Sequence, residues 1–250
     1  MSTTTTARSR AVPPLLLGLV VLACWEAACR SGLVDPFFLP APSAVAVRFV
    51  EDLGAGLVGY TVPTLVEAVL GCLAGAAVAL PLGYLIVRSP RSAAAVEPYL
   101  AASQSVPAVA VAPLLMLWLG YGLAPIVVLC ALLVFFPIVL TTVLGLRSLD
   151  QDVRDAARLD GAGAWQLLRH VEAPLALPAI LTGVRNGFTL SVTGAVVGEF
   201  VMGGRGLGVL VASRADAADT PGLFVALAVL AGLAMSVYGL LGALEQRLRP

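Results

Sequence analysis

Few side chains in this 250-residue chain can carry chemistry, and their spacing excludes most reactions. His170 is the only histidine, and the four cysteines, Cys24, Cys29, Cys72 and Cys130, stand singly in apolar stretches with no C-x-x-C pair. A zinc, haem or iron–sulfur site therefore has no ligand set, and neither metal nor cofactor is expected. The cysteines read as small hydrophobes in packed helices. His170 lacks the partner and the site that acid–base work requires. The run Gly203-Gly204-Arg205-Gly206-Leu207-Gly208 invites a phosphate-cradling reading, but it lacks G-x-x-x-x-G-K-[ST], and the chain has no lysine at all. Any ATP hydrolysis must belong to a partner. Four charges lie in or near apolar runs, where central placement costs roughly 2.5–3.5 kcal/mol: Glu26, Glu67, Arg185 and Glu199. Glu26 and Glu67 are expected near helix ends, reaching the membrane interface. Arg185 and Glu199 are ~21 Å apart along one helix and cannot pair within it. Arg185 is a candidate counter-charge for an anionic solute, or else pairs with a neighbouring helix. Glu199 is expected to brace the loop that follows it or to receive an outside partner.

The elements that position these residues follow from composition. Hydrophobic residues make up 59% of the chain and charged ones 12%, roughly half of the ~25% usual in soluble domains. Lipid must solvate much of such a surface, which excludes a soluble enzyme, a disordered tail and a fibrous protein. Fifteen basic residues balance fifteen acidic ones, so no field attracts nucleic acid. Apolar runs of spanning length cover about 12–29, 62–87, 175–201 and 221–244. Residues 98–146 hold no charge; as one helix they would reach ~73 Å, so they are expected to cross twice, breaking at Gly120-Tyr121-Gly122 to Pro125. Six spans result. With both termini inside, the cytoplasmic segments hold ten arginines and the outer loops four, which favours that orientation. A competing reading takes residues 1–24 as an export signal ending in Val21-Leu22-Ala23-Cys24, leaving five spans.

The longest polar interruption on the inner side is residues 147–171. Val153, Ala156 and Ala157, then Ala164, Leu167, Leu168 and Val171, fall at i, i+3, i+4 spacing, so two short amphipathic helices are expected, separated by Gly161 and Gly163. Asp150 is spaced to pair with Arg154, and Asp155 with Arg158. The pattern alone leaves two readings open: a helix pair resting in the headgroup layer, or a docking element for another protein.

The residues here carry a resemblance. Asp155-Ala156-Ala157, then Gly161, then Val171-x-x-Pro174 is similar to the EAA loop of binding-protein-dependent ABC importers, with aspartate for glutamate, Val171 for isoleucine and Ala173 for leucine. The stretch Val171 to Gly183, Leu39-Pro40-Ala41-Pro42-Ser43, Gln104-Ser105-Val106-Pro107 with Leu117 to Gly122, Phe135-Phe136-Pro137-Ile138, and Gly198-Glu199-Phe200 before Gly206-Leu207-Gly208 resemble importers of the nitrate, sulfonate and taurine type. The resemblance covers residues 39 to about 245. It implies an all-α membrane permease of MetI-like (type I) fold with six transmembrane helices. It implies a plasma-membrane location, a pore built from two copies, separate ATPase subunits that bind the ATP, and an extracytoplasmic substrate-binding protein. By the same resemblance Asp155, Ala156, Ala157, Gly161, Trp165, Leu168 and Pro174 are the ATPase-coupling residues. Arg185, Glu199 and Gln104 are the candidates for the translocation path. Residues 1–60 are expected to hold a cytoplasmic tail, the first span and an outer loop; 61–245 the permease core with coupling loop 147–175; and 246–250 a cytoplasmic tail.

The implied function is import of a small solute (nitrate, sulfonate, taurine or pyrimidine-like) without an ATP site of its own. A secondary transporter would want midplane carboxylates and an inverted repeat, and an intramembrane enzyme a nucleophile with its base; neither pattern is visible.

Overall fold

A computed structural model describes residues 7–103 and 105–248, and all regular structure among them is helical. The chain divides into two compact units, Met1–Val58 with Val211–Ala228, and Gly59–Leu210 with Val229–Pro250.

The smaller unit contains α1 (Ala7–Arg30), α2 (Pro42–Gly54), the end of α10 (Leu207–Asp216) and the start of α11 (Thr220–Leu248). Leu16 to Leu22 of α1 present exposed apolar side chains, as a lipid-facing helix would. Glu26 does not simply reach for the interface. Its carboxylate accepts from Arg30 Nε at 2.6 Å, from Ser43 Oγ at 2.7 Å and from the Ser43 backbone N–H at 3.0 Å. It thereby satisfies a first-turn amide of α2, where the helix dipole favours an anion. Arg48 and Arg214 each bridge Asp52 and Asp219: Arg48 to Asp219 at 2.7 Å and Arg214 to Asp52 at 2.9 Å. Partial burial pushes the Asp219 carboxyl up, but hydrogen bonds from Arg214 and the Gly222 N–H and the field of Arg48 outweigh it and hold the group below the ordinary aspartate range.

The larger unit is built on α3 (Leu57–Arg88), α6 (Leu123–Arg147) and α9 (Ala173–Met202). Its core interleaves Ala68, Cys72 and Ala79 of α3, Leu129, Val134 and Ile138 of α6, and Phe188, Val192 and Ala195 of α9. Without a hydrophobic force between helices in lipid, small residues must let backbones approach. A Cβ placed on Gly187 would lie 2.9 Å from Val134 Cγ1, and one on Gly194 would lie 2.8 Å from Leu133 Cδ1.

Among the described residues, four helices are long and apolar enough to cross a membrane: Leu57–Arg88, Leu123–Arg147, Ala164–Met202 and Thr220–Ala243. The expected third span is not one straight helix. It is a pair, α4 (Pro90–Ser103) and α5 (Ala108–Leu119), bent by 95° and able to supply a fifth crossing. Pro107 accounts for the stop, since the residue before proline is driven out of helical conformation. The break between α5 and α6 falls where expected, with Gly120 and Gly122 at φ +77° and +114°.

Candidate functional site

The coupling loop is built from its capping residues upward. Asp150 accepts from the Asp152 N–H at 3.0 Å and starts α7 (Gln151–Leu159). That use of Asp150 replaces the expected pair with Arg154, which instead donates to Leu149 O and Gln151 Oε1. Asp155 does pair with Arg158, at 2.7 Å. At the far end Ala162 N–H reaches Ala157 O and Gly161 N–H reaches Arg158 O, both at 3.0 Å, with Gly161 at φ +87°. This is a Schellman closure, which needs a left-handed residue at that place. A Cβ on Gly161 would meet nothing within 4 Å, so backbone conformation alone selects glycine. Gly163, at φ −69°, has an ordinary backbone and accepts its own role as N-cap of α8 (Ala164–Leu167).

The second half of the loop is not a separate helix. From Ala164 the chain passes through one π turn, Leu168–Glu172, straight into α9, giving 39 continuous helical residues. At 1.5 Å per residue this is ~58 Å against a ~30 Å hydrocarbon core, so the loop end of the helix stands outside the bilayer. Pro174 explains the π turn: its ring needs relief from the carbonyl four residues back, and Ala173 N–H bonds Leu168 O, five residues back. Leu159 is 89% exposed and Trp165 68% exposed, and Ala156 and Pro174 are exposed as well. Behind Trp165 lies an apolar hollow of about 680 Å³ lined by Pro81, Tyr84, Leu146 and Ile180.

At the other end of the same unit a polar cluster is sealed inside. Thr64 Oγ1 donates to Glu199 Oε1 at 2.6 Å and accepts from the Leu207 N–H at 2.8 Å. Gly208 N–H donates to Glu199 Oε2. Glu199, Thr64 and Leu207 are wholly buried. The glycines of Gly206-Leu207-Gly208 are explained by this contact. A Cβ on Gly206 would overlap the Glu199 carboxylate, and one on Gly208 would lie 2.6 Å from Val196 O. Against Glu199 sits the Glu67 carboxyl, 5% exposed.

Apolar length alone starts this span at about 62 and puts Glu67 near a helix end; α3 instead starts at Leu57, and Glu67 is buried. The signal available was Thr64-x-x-Glu67, two polar residues one turn apart in an apolar helix. Arg185 lies apart from this cluster, with its guanidinium 4.2 Å over the Tyr238 ring. Gln104 falls outside the described residues. Among the described residues no three metal-ligating side chains gather.

Residues 57–250 match the family of binding-protein-dependent transport system inner membrane components. The chain belongs to that family: it is an ABC importer permease subunit. The riboflavin transport system permease protein RibX of Chloroflexus aurantiacus is 45% identical to this permease over 231 residues, 92% of this chain and 86% of that one. The formylaminopyrimidine transport permease protein ThiX of Halalkalibacterium halodurans is 33% identical over 242 residues, 96% of each. Among solved structures, an inward-facing conformation of the MetNI methionine ABC transporter matches with TM-score 0.73 at 19% identity, covering 80% of this permease and 99% of that chain. That likeness establishes the MetI-like fold. Permeases of this family are embedded in the membrane and work with ATPase subunits and substrate-binding proteins.

Proposed function

We propose that this permease forms half of a two-copy pore that imports a small nitrogen heterocycle, powered by a separate ATPase that grips residues 150–174. The observation that carries the coupling assignment is the uncovered apolar surface at Leu159, the last residue of α7, and at Trp165, on the end of the helix that outruns the bilayer. A helix resting in the headgroup layer would bury that face in lipid parallel to the membrane, whereas Ala164–Met202 is one continuous element with the span. Asp155, Ala156, Ala157, Gly161, Trp165, Leu168 and Pro174 are the contact and shaping residues of this element. The heterocycle follows from likeness to a riboflavin and a formylaminopyrimidine permease. Both termini face the cytoplasm, in keeping with the arginine distribution. ATP turnover belongs to the partner, since the chain has no phosphate-cradling motif.

The test is uptake of labelled riboflavin by cells expressing the permease with its ATPase and binding protein, with labelled taurine in parallel. Energy-dependent riboflavin uptake that requires the permease supports the reading. Uptake of taurine alone overturns the heterocycle, and ATP turnover by the purified permease free of other subunits overturns the division of labour.

A further inference from the structure

In the smaller unit, α2 is built inside out. Val45, Arg48 and Asp52 share one side at i, i+3, i+7 spacing, and that side faces the rest of the unit. Asp52 is buried there, and both charges are held in the cluster with Arg214 and Asp219. The remaining surface from Ala46 to Leu53 is apolar except for Glu51, and it is uncovered: Val47, Phe49, Val50 and Leu53 are all exposed, Val50 by 67%. A helix on a water-facing surface does the reverse, burying its apolar stripe and presenting its charges.

The surroundings say what covers this arc. With 13 residues α2 is ~20 Å long, too short to cross a ~30 Å hydrocarbon core, so it must lie along one surface of it. Its first turn is tied to the end of α1 by the bonds from Ser43 to Glu26, and α1 exposes the lipid-facing side chains Leu16 to Leu22. The chain between the two helices adds Phe37 and Phe38, both exposed. The arc on α2 therefore adjoins a surface already given to lipid. On its inward side the charges stay partly solvated, with the Arg48 side chain 34% exposed and that of Asp219 23%, as groups at headgroup level are. A protein partner is anchored chiefly by tryptophan, tyrosine and arginine, with valine and leucine under-represented. The arc carries valine, leucine, alanine and one phenylalanine, and its single polar side chain, Glu51, stands at its edge.

We propose that α2 is an in-plane membrane helix whose partner is the phospholipid surface: Val47, Val50 and Leu53 enter the acyl boundary, while Arg48 and Asp52 turn away from it into the ion-pair cluster. The inference is independent of which solute the permease carries.

The test uses the purified permease–ATPase complex in phosphatidylcholine vesicles. In a Cys24→Ala background, whose other cysteines are buried, Val47→Cys, Val50→Cys and Glu51→Cys are spin-labelled one at a time. Collisions with oxygen, which partitions into lipid, and with a water-soluble nickel chelate are then compared. The ratio of oxygen to nickel collisions is expected to be severalfold higher at positions 47 and 50 than at 51. Equal ratios at the three positions overturn the proposal. Nickel access at 47 and 50 that disappears only when the substrate-binding protein is added assigns the face to that protein and overturns it too. Protection from both reagents, with spin–spin broadening between copies, assigns the face to a second permease and also overturns it. A parallel measurement needs no substitution: wild-type complex is irradiated with a phosphatidylcholine carrying a diazirine on its acyl chain. Adducts are expected between residues 46 and 53; their absence while residues 16–22 are labelled overturns the proposal.

Discussion

The two ends of the larger unit solve opposite problems. The cluster around Glu199 is closed: every oxygen of that carboxylate and the Thr64 hydroxyl has a partner from the same chain, inside a sealed contact where Gly206 and Gly208 leave no room for a side chain. The coupling loop is open: its ion pair is half-exposed, and Leu159 and Trp165 face outward. A closed cluster stores folding stability, whereas an open surface holds affinity for something not yet present. Substitutions at the first should lower stability, and those at the second should spare stability and lower coupling.

The largest effect should come from Glu199→Leu. It strands the Gly208 N–H and leaves the Thr64 hydroxyl only its longer bond to Tyr60 O at 3.3 Å, and a buried donor left unpaired costs ~1–3 kcal/mol. The thermal midpoint of the purified permease in detergent should fall by well over the shift from any loop variant, and uptake should fall with it. A midpoint equal to wild type would mean that the cluster contributes no stability and that the contrast is false.

Next is Trp165→Ala. An exposed tryptophan that anchors an interface typically contributes ~2 kcal/mol or more, a loss of about thirtyfold in affinity. The thermal midpoint should stay near wild type while retention of the ATPase on the purified permease drops. Full ATPase retention would return the loop to the headgroup layer.

Gly161→Val should have a smaller effect of the same kind. The left-handed backbone costs a branched residue roughly 1–2 kcal/mol, enough to open the Schellman closure in part of the population, yet nothing clashes with the added atoms. Gly161→Asn, which tolerates that backbone, should keep most of the ATP-driven uptake that Gly161→Val loses. Equal losses in the two variants would show that bulk, not φ, governs the site.

These residues also show what a sequence makes legible. Gly161 and Asp155 could be found because their roles are local: a turn and an i, i+3 pair are set by nearest neighbours. Of the six expected spans, four were legible from apolar length among the described residues, and a fifth corresponds to the pair bent at Pro107. Glu67 and Thr64 were not found, because their partners, Glu199 and Leu207, lie more than a hundred positions away, and only packing brings them together. The same holds for Arg48, Asp52, Arg214 and Asp219, which read as ordinary loop and helix-end charges until α2 and the start of α11 are placed. The π turn lay between these cases: Pro174 signalled a disturbance, but the pattern read it as the end of a short helix rather than a bulge in a long one.

The smallest predicted effect tests the third polar group, the ion pairs of the smaller unit. The folded state holds Asp219 below the ordinary aspartate value, so between the folded and unfolded values the unfolded chain binds more protons. The stability this provides is present in full above about pH 4–5 and is lost as pH falls through the folded value. Its size is modest, because Arg48 and Asp219 are partly solvated and surface pairs contribute ~0–1 kcal/mol. Asp219→Asn removes the titrating group, so the thermal midpoint of the variant should start slightly below wild type at pH 7 and decline less on acidification to pH 3. Parallel curves for the two proteins would assign the acid sensitivity of the permease to other carboxylates and leave the Arg48–Asp52–Arg214–Asp219 cluster without a measurable share in stability.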